Sequence, residues 1–333
     1  MIRSLVVSHT VNLEEDEDFI VGRNFSRPKL EQAIADKDMI WLDMVDPEPE
    51  EITWLDTQLT LHPTVVADLR AEDRRPALLV YPNYLFLSLF QPYVRLNRIE
   101  GKEVHCLVGN NIFVTLRKSD AKAVDDAYNR VLQNAAAWKQ GVAYFLYLTT
   151  QHNIDSYYPL LDRISNQLND LEENIMLNGG AKHARKTVYT VKQQLINMRQ
   201  MVAPQREVIS NVIGEERLSR NSESRDLFRH LYERLLRIYD VIDAQRDLST
   251  NVLDMIDSQE SNKLVEAVNR LTIFSIIFLP VTFLATFFEL NIAAPAEQLI
   301  LPVSGGVLFV ITLGLMAGST AIMIFTLRRK GLL

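Results

Sequence analysis

The sequence predicts an α+β cytoplasmic domain followed by long stalk helices and two transmembrane helices, and three observations carry that prediction. Short β-branched and aromatic runs alternate with helical patterns over residues 1 to about 120, as in a sheet layered with helices. Between Gly214 and Pro280 there is neither glycine nor proline, the two residues that most reliably end a helix. Charge is absent from Leu271 to Phe288 and again from Leu299 to Leu327. As a helix the first of these runs is about 27 Å long, close to the hydrocarbon thickness of a bilayer.

The elements follow in order. Ile2–Ser8, Met39–Met44, Leu85–Phe90, Glu103–Val108 and Ile112–Leu116 read as strands, the last two joined by a turn at Gly109-Asn110-Asn111. Helical patterns at Lys29–Ala35, Glu50–Gln58 and Thr64–Leu69 lie between the early strands. The period then becomes helical. Val124–Trp138 reads as one helix and Val142–Leu177 as a second, with Leu160, Ile164, Leu168, Leu171 and Ile175 at three-four spacing and Asp162, Asp170, Glu172 and Glu173 outward. Gly179-Gly180 ends it, and a third helix, Ala181–Met201, is expected to stop before Pro204.

The stretch Ser222 to Asn291 then reads as one helix; the glycine- and proline-free residues between Gly214 and Pro280, roughly 65 of them, would by themselves make a rod on the order of 100 Å long. Phe228, Leu231, Leu235, Ile238 and Ile242 form a seam that skips Gln245 and Ser249 and resumes at Val252 and Ile256. The expected organisation is an α/β domain over 1–120, a helical region with the stalk over 121–270, a first span over 271–288, an outward-facing loop over 289–298, a second span over 299–327 and a basic cytoplasmic tail over 328–333. Lys263, Arg270, Arg328, Arg329 and Lys330 flank the spans on one side, whereas the connection carries Glu289 and Glu297 and no cation. By the positive-inside rule both termini are cytoplasmic. Gly314 and Gly318 form a small-xxx-small pair in the second span.

Composition excludes several function classes. One cysteine, Cys106, rules out an intramolecular disulfide and suits a reducing compartment. The N-terminal stretch runs into the acidic Glu14-Glu15-Asp16-Glu17-Asp18, which is neither a signal nor a transit peptide, so the bulk of the chain is expected in the cytosol. A net charge of −7 argues against nucleic acid and is compatible with attracting cations. The six histidines show no ligand spacing, and no Walker loop, dinucleotide fingerprint or nucleophile elbow is present, so an enzyme is not expected.

The first span carries the chemistry. Ser275, Leu279, Thr282 and Thr286 are spaced four, three and four apart and share one face. Small hydroxyls with one leucine among them suit a narrow wet pore with a hydrophobic constriction; hydroxyls bonded to their own helix, or joining helices, fit the stripe equally well. Two spans cannot enclose a pore, so a channel here would be a symmetric oligomer. Glu289 continues the phase and would set carboxylates at the outer mouth, unless it simply ends the span at the interface. Asn291 could offer amide oxygens to a hydrated ion or cap the loop.

These residues resemble the CorA-type divalent-cation channels. Leu271-Thr272-Ile273-Phe274-Ser275-Ile276-Ile277-Phe278-Leu279-Pro280-Val281-Thr282-Phe283 is similar to that family's pore helix, and Lys330-Gly331-Leu332-Leu333 to its basic end. His62-Pro63, Arg75-Pro76 and Tyr84-Leu85-Phe86 resemble its N-terminal domain, and Ala203-Pro204-Gln205-Arg206-Glu207-Val208, Phe228-Arg229, Tyr239 and Arg246-Asp247 its helical middle. The resemblance implies a funnel-shaped homopentamer in the inner membrane, with the stalk helix lining a central pore and passive Mg2+ entry gated by cytoplasmic metal sites between subunits. By position it implies that Asn291 matches the Asn of the Gly-Met-Asn filter, that Leu279 and Leu271 match hydrophobic constrictions, and that Thr282 and Thr286 line the pore. The chain departs from the family at two places. Its triplet reads Glu289-Leu290-Asn291, as the zinc-transporting ZntB-like branch and divergent members such as CmaX also vary it. His230, with Glu233 one turn on, stands where the family has a regulatory Asp, which would shift that metal site towards softer ions or abolish it. The expected function is divalent-cation transport, with Mg2+ first and Zn2+ or broad transition-metal transport as the alternative. A non-conducting membrane sensor or scaffold is the reading from a different class.

Overall fold

The computed structural model describes residues 1–11, 19–71, 76–118, 121–178, 181–218, 222–292 and 305–329. The acidic run 14–18, Arg75, Gly179-Gly180, residues 293–304 with Glu297, and Lys330 to Leu333 lie outside the described residues. The chain divides into two units, residues 1–254 and 255–333.

Among the described residues of the first unit, one sheet holds β1 (Ile2–Val7), β2 (Gly22–Arg23), β3 (Met39–Val45), β4 (Ala77–Val80), β5 (Leu85–Arg95), β6 (Arg98–Val108) and β7 (Ile112–Arg117), in the order β2-β1-β3-β7-β6-β5-β4. The central pair β3–β7 is parallel and the others are antiparallel. Parallel neighbours need a crossover. Here it contains the helices α2 (Pro49–Leu59) and α3 (Pro63–Arg70), which with α1 (Arg27–Ala35) cover one face. Each starts where a proline can occupy the first turn, and in α2 Glu48 and Glu51 close a reciprocal capping box.

Strand alternation separates two cores. Ile40, Leu42 and Met44 of β3 join Leu30, Leu55 and Val65 under α1, α2 and α3. Trp41 points to the other face, which is covered by α4 (Lys122–Gln133), α5 (Ala135–Lys139), α6 (Val142–Asp155), α7 (Tyr158–Asn178) and α8 (Ala181–Gly214). There Phe113, Tyr128 and Phe145 surround its ring at centroid distances of 5.0, 5.5 and 5.6 Å. Asp43 points the same way and is fully buried. It accepts hydrogen bonds from Thr115 at 2.8 Å, from Arg117 Nε at 3.2 Å and from Arg3. Arg117 and Arg3 also reach Asp125 of α4, at 2.6 and 2.8 Å. A buried carboxylate is tolerable because two guanidinium groups meet it, and the same arginines dock α4 on the sheet.

Three helix boundaries differ from the sequence expectation. Val124–Trp138 is two helices, because Asn134 leaves helical geometry (φ −124°) and its side chain caps α5 by accepting from the Ala136 N–H at 3.0 Å. Val142–Leu177 is also two, broken at Ser156-Tyr157 just before Pro159, which cannot donate to the preceding turn. Conversely, α8 continues through Pro204. The Gln205 amide beside that proline is buried and fully engaged: it donates to Met201 O at 3.2 Å and to the Tyr157 hydroxyl at 2.7 Å, and accepts from Phe90 N at 3.2 Å. Packing therefore holds the helix where propensity would end it. The strand β4 and the extension of β5 and β6 to a two-residue turn at Leu96-Asn97, both at positive φ, are further features absent from the sequence expectation.

The long helix α9 runs Ser222–Ile292. All nine seam positions, from Phe228 to Ile256, are buried, including the polar pair. Gln245 Nε2 donates to Leu161 O on α7 at 3.0 Å, and Ser249 Oγ donates to Gln245 O at 2.7 Å, so the interruption in the apolar seam is itself a packed contact. The α/β layer and the helices after residue 120 share one core, so the change near 120 is one of secondary structure within a single packed body.

Candidate functional site

In the second unit the described residues are the C-terminal part of α9 and α10 (Gly305–Arg329), each long and apolar enough to cross a membrane. Pro280 lies inside α9 without ending it. Along this part of α9 the half-buried positions are Ile273, Ile277, Pro280, Val281 and Leu284. At 100° per residue they centre about 170° from the centre of Ser275, Leu279, Thr282 and Thr286. The stripe therefore occupies the face turned away from the shielded one, and all four of its members are exposed. Leu271 and Glu289, also exposed, lie near its two ends, each about 50° off its centre.

The hydroxyls of the stripe are all engaged with the helix itself. Ser275 Oγ donates to Leu271 O at 2.9 Å and Thr282 Oγ1 to Phe278 O at 2.9 Å; Thr286 Oγ1 donates to Thr282 O at 3.0 Å and to Phe283 O at 3.1 Å. This is the back-bonding that hydroxyls adopt on apolar helices, and it leaves the oxygen lone pairs of each group directed outward. Towards the N-terminus the same face continues as Val268 and Leu264, which are 53% and 68% exposed. In the sequence the face ends visibly at Leu271, because Arg270 and Glu266 interrupt the uncharged run. Those two lie on another face and pair with each other at 2.6 Å. The three-four spacing of 264, 268, 271 and 275 was the available signal.

On α10 the shielded positions are Thr312, Met316, Ser319, Thr320, Met323 and Leu327, again one face, whereas Gly314 and Gly318 have no neighbouring atom within 4 Å of a built Cβ. Asn291 lies in the last turn of α9, and its side chain is outside the described residues. His230 and Glu233 lie in the first unit, both exposed on α9 and opposite the buried Leu231 and Leu235. Among the described residues no three His, Cys, Asp or Glu side chains converge to hold a metal within the chain. Cys106 is fully buried, and burial pushes its thiol well above the ordinary range, away from reactive thiolate character.

The comparisons with known proteins agree with one another. The family model described as "CorA-like Mg2+ transporter protein" matches residues 36–329. The chain is 27% identical over 234 residues to the cobalt/magnesium transport protein CorA of Thermotoga maritima, covering 69% of this chain and 66% of that one. It is 24% identical over 277 residues to the zinc transport protein ZntB of Cronobacter sakazakii, covering 81% and 83%. The structure of the CorA magnesium transporter from Methanocaldococcus jannaschii superposes with a TM-score of 0.80 at 16% identity, covering 100% of this chain and 99% of that one.

Proposed function

Because this chain belongs to the CorA-like Mg2+ transporter family, whose members are membrane-integral carriers of divalent cations and not enzymes, we propose that it forms a homopentameric pore for Mg2+ in the inner membrane. The observation that carries this reading is the polar stripe on the face of α9 opposite its shielded side. Five such faces around an axis would line one narrow path, with Glu289 and Asn291 as the outer ring and Leu279 and Leu271 as constrictions. Entry is passive and driven by voltage. Mg2+ sheds its water reluctantly and crosses with much of its shell, which amide and hydroxyl oxygens can bind. In this reading His230 and Glu233 would join a cytoplasmic metal site completed by a neighbouring subunit.

A second reading is Zn2+ transport. It is favoured by the Glu289-Leu290-Asn291 triplet, where a carboxylate replaces a small residue, and by the likeness to ZntB.

Liposomes containing the purified protein, with internal Mg2+ and Zn2+ indicators, separate these readings. Mg2+ entry under an inside-negative potential alone is the expected result, and Glu289→Gln should slow it about tenfold by weakening the field that concentrates cations. Zn2+ entry that needs a proton gradient would replace the first reading by the second. No flux of either ion from a preparation of confirmed oligomeric state would make the protein a non-conducting sensor. Unchanged uptake in both Glu289→Gln and Asn291→Ala would mean that the outer ring is wrongly assigned.

A further inference from the structure

We infer that the first unit holds a binding site for a nucleoside phosphate, in the crevice at the carboxyl ends of the parallel strands β3 and β7. The chain leaves β3 for α2 and α3 on one face of the sheet and leaves β7 for α4 on the other. Strands that part to opposite faces open a cleft beyond their ends, which is where sheets of this kind take ligands. A cavity of about 1170 Å3 occupies that place, bounded by Asp46 after β3, Arg70 at the end of α3, Tyr93 on β5, His105 on β6 and Lys118 after β7. It is large enough for a nucleotide. Such a site would bind whether or not α9 lines a pore.

Two buried polar atoms indicate the group that enters. His105 is only 7% exposed and stacks on Phe86 at 5.5 Å. Its Nε2 lies 3.2 Å from Glu103 Oε2, and a carboxylate there holds the ring proton on Nε2, so in the neutral ring Nδ1 is an acceptor. Nδ1 has no hydrogen-bond partner among the described residues. Ser88, 2% exposed, is paired with His105 in the β5–β6 register, and its hydroxyl has no such partner either. Buried groups left unpaired are costly, and a ligand that offers a donor to Nδ1 and an acceptor to the hydroxyl satisfies both. Adenine presents that pair side by side, at its N6 amine and N7. The mouth reads the other end. Arg70, Arg95, Lys102 and Lys118 stand on the cavity walls. Of the carboxylates there, Glu103 is held by His105 and Glu100 by the Tyr93 hydroxyl at 2.7 Å; Asp46 is the third. Lys118 lies two residues beyond Leu116, the β7 partner of His105, and so about 7 Å along the sheet from it. That offset sets the phosphate of a bound nucleotide against Lys118 and Arg70, one a point charge and the other a fork.

The test uses the purified full-length protein and titration calorimetry in metal-free buffer, with AMP, adenosine and inorganic phosphate as probes. AMP should bind, adenosine more weakly and phosphate more weakly than either. His105→Phe keeps the stack on Phe86 and removes Nδ1; it should weaken AMP and adenosine alike by roughly fivefold, the effect of about one hydrogen bond, and Ser88→Ala should do the same. Lys118→Gln should weaken AMP about fivefold and leave adenosine unchanged. Oligomeric state and thermal stability of each variant are checked against the parent, and if His105→Phe fails to assemble, Ser88→Ala and Lys118→Gln decide. The inference is overturned by a parent protein that does not bind AMP at millimolar concentration, by phosphate that binds as tightly as AMP, or by AMP binding unchanged in both Ser88→Ala and Lys118→Gln. Each of those results leaves the pore reading as it stands, because ion flux into liposomes is read separately.

Discussion

Within one continuous helix, α9, the relation between polarity and burial reverses. From Phe228 to Ile256 the seam residues are buried and the intervening Glu233, Asp240 and Asp247 are exposed, as for a helix packed on a core in water. From Leu271 to Phe287 large apolar side chains such as Phe274, Leu279 and Phe283 are exposed, and the face with the most hydroxyls is exposed too. A single chain leaves both kinds of surface uncovered there: one suits hydrocarbon and the other a partner helix or a wet axis. Equal helical periodicity thus serves two solvents, and burial within the chain tells them apart.

The contrast can be broken by parallel substitutions in its two parts. The largest effect is expected for Arg117→Met, which strips a buried carboxylate of a partner and should cost about 3–5 kcal/mol of stability. The matching change Arg270→Met removes an exposed helical pair and should cost less than about 0.5 kcal/mol. Thermal and denaturant unfolding of the full-length protein compare them, and equal losses would abolish the distinction. Next, Leu235→Ala in the buried seam should cost about 2–5 kcal/mol, whereas Ile277→Ala, half-buried, should cost about 1 kcal/mol. Gln245→Leu is smaller than Leu235→Ala: it loses the bond to Leu161 O and should cost about 1 kcal/mol, against a much larger loss if the polar interruption is a register device.

The smallest expected effect is one of pH. Burial lowers the His152 pKa below its ordinary value; Asp126 opposes that shift, and Arg130 and Arg234 add to it. The unfolded chain then binds a proton before the folded one does. Stability is complete above the unfolded value near 6.5 and declines as pH falls through the lowered folded value. The melting temperature should drop between about pH 7 and pH 5, and His152→Gln should flatten part of that slope.

Apolar spacing was a good guide wherever packing follows spacing. The seam of α9, the strands at 39–44 and 112–116 and the three helices over the first sheet face were all legible, because each buries one face against one neighbour. The misplaced boundaries share another cause. Asn134 and Pro159 stop helices through capping and a missing donor, effects of one residue that a long apolar period hides. Pro204 fails to stop a helix because Gln205, Tyr157 and Phe90 meet around it, a contact between residues far apart in the chain. For the stripe, the sequence located the hydroxyls but left their hydrogen-bonding direction open. That direction depends on the backbone carbonyl three or four residues back and on the side-chain rotamer, which the folded helix fixes.

The parallel pairing of β3 with β7 also has a consequence for biosynthesis. Its strands are separated by more than sixty residues, so the centre of the sheet cannot close until Arg117 has been made. Leu271, the first residue of the first uncharged run, comes 154 positions later, an interval of roughly 8–30 s at about 5–20 residues per second. The face under α1, α2 and α3 has that interval in which to fold on the ribosome. The other face must wait for Phe228 to Ile242, which complete its core. Synthesis therefore brings the second core to completion only shortly before the chain meets the membrane, and a pause near residue 250 would favour orderly assembly more than one near residue 120.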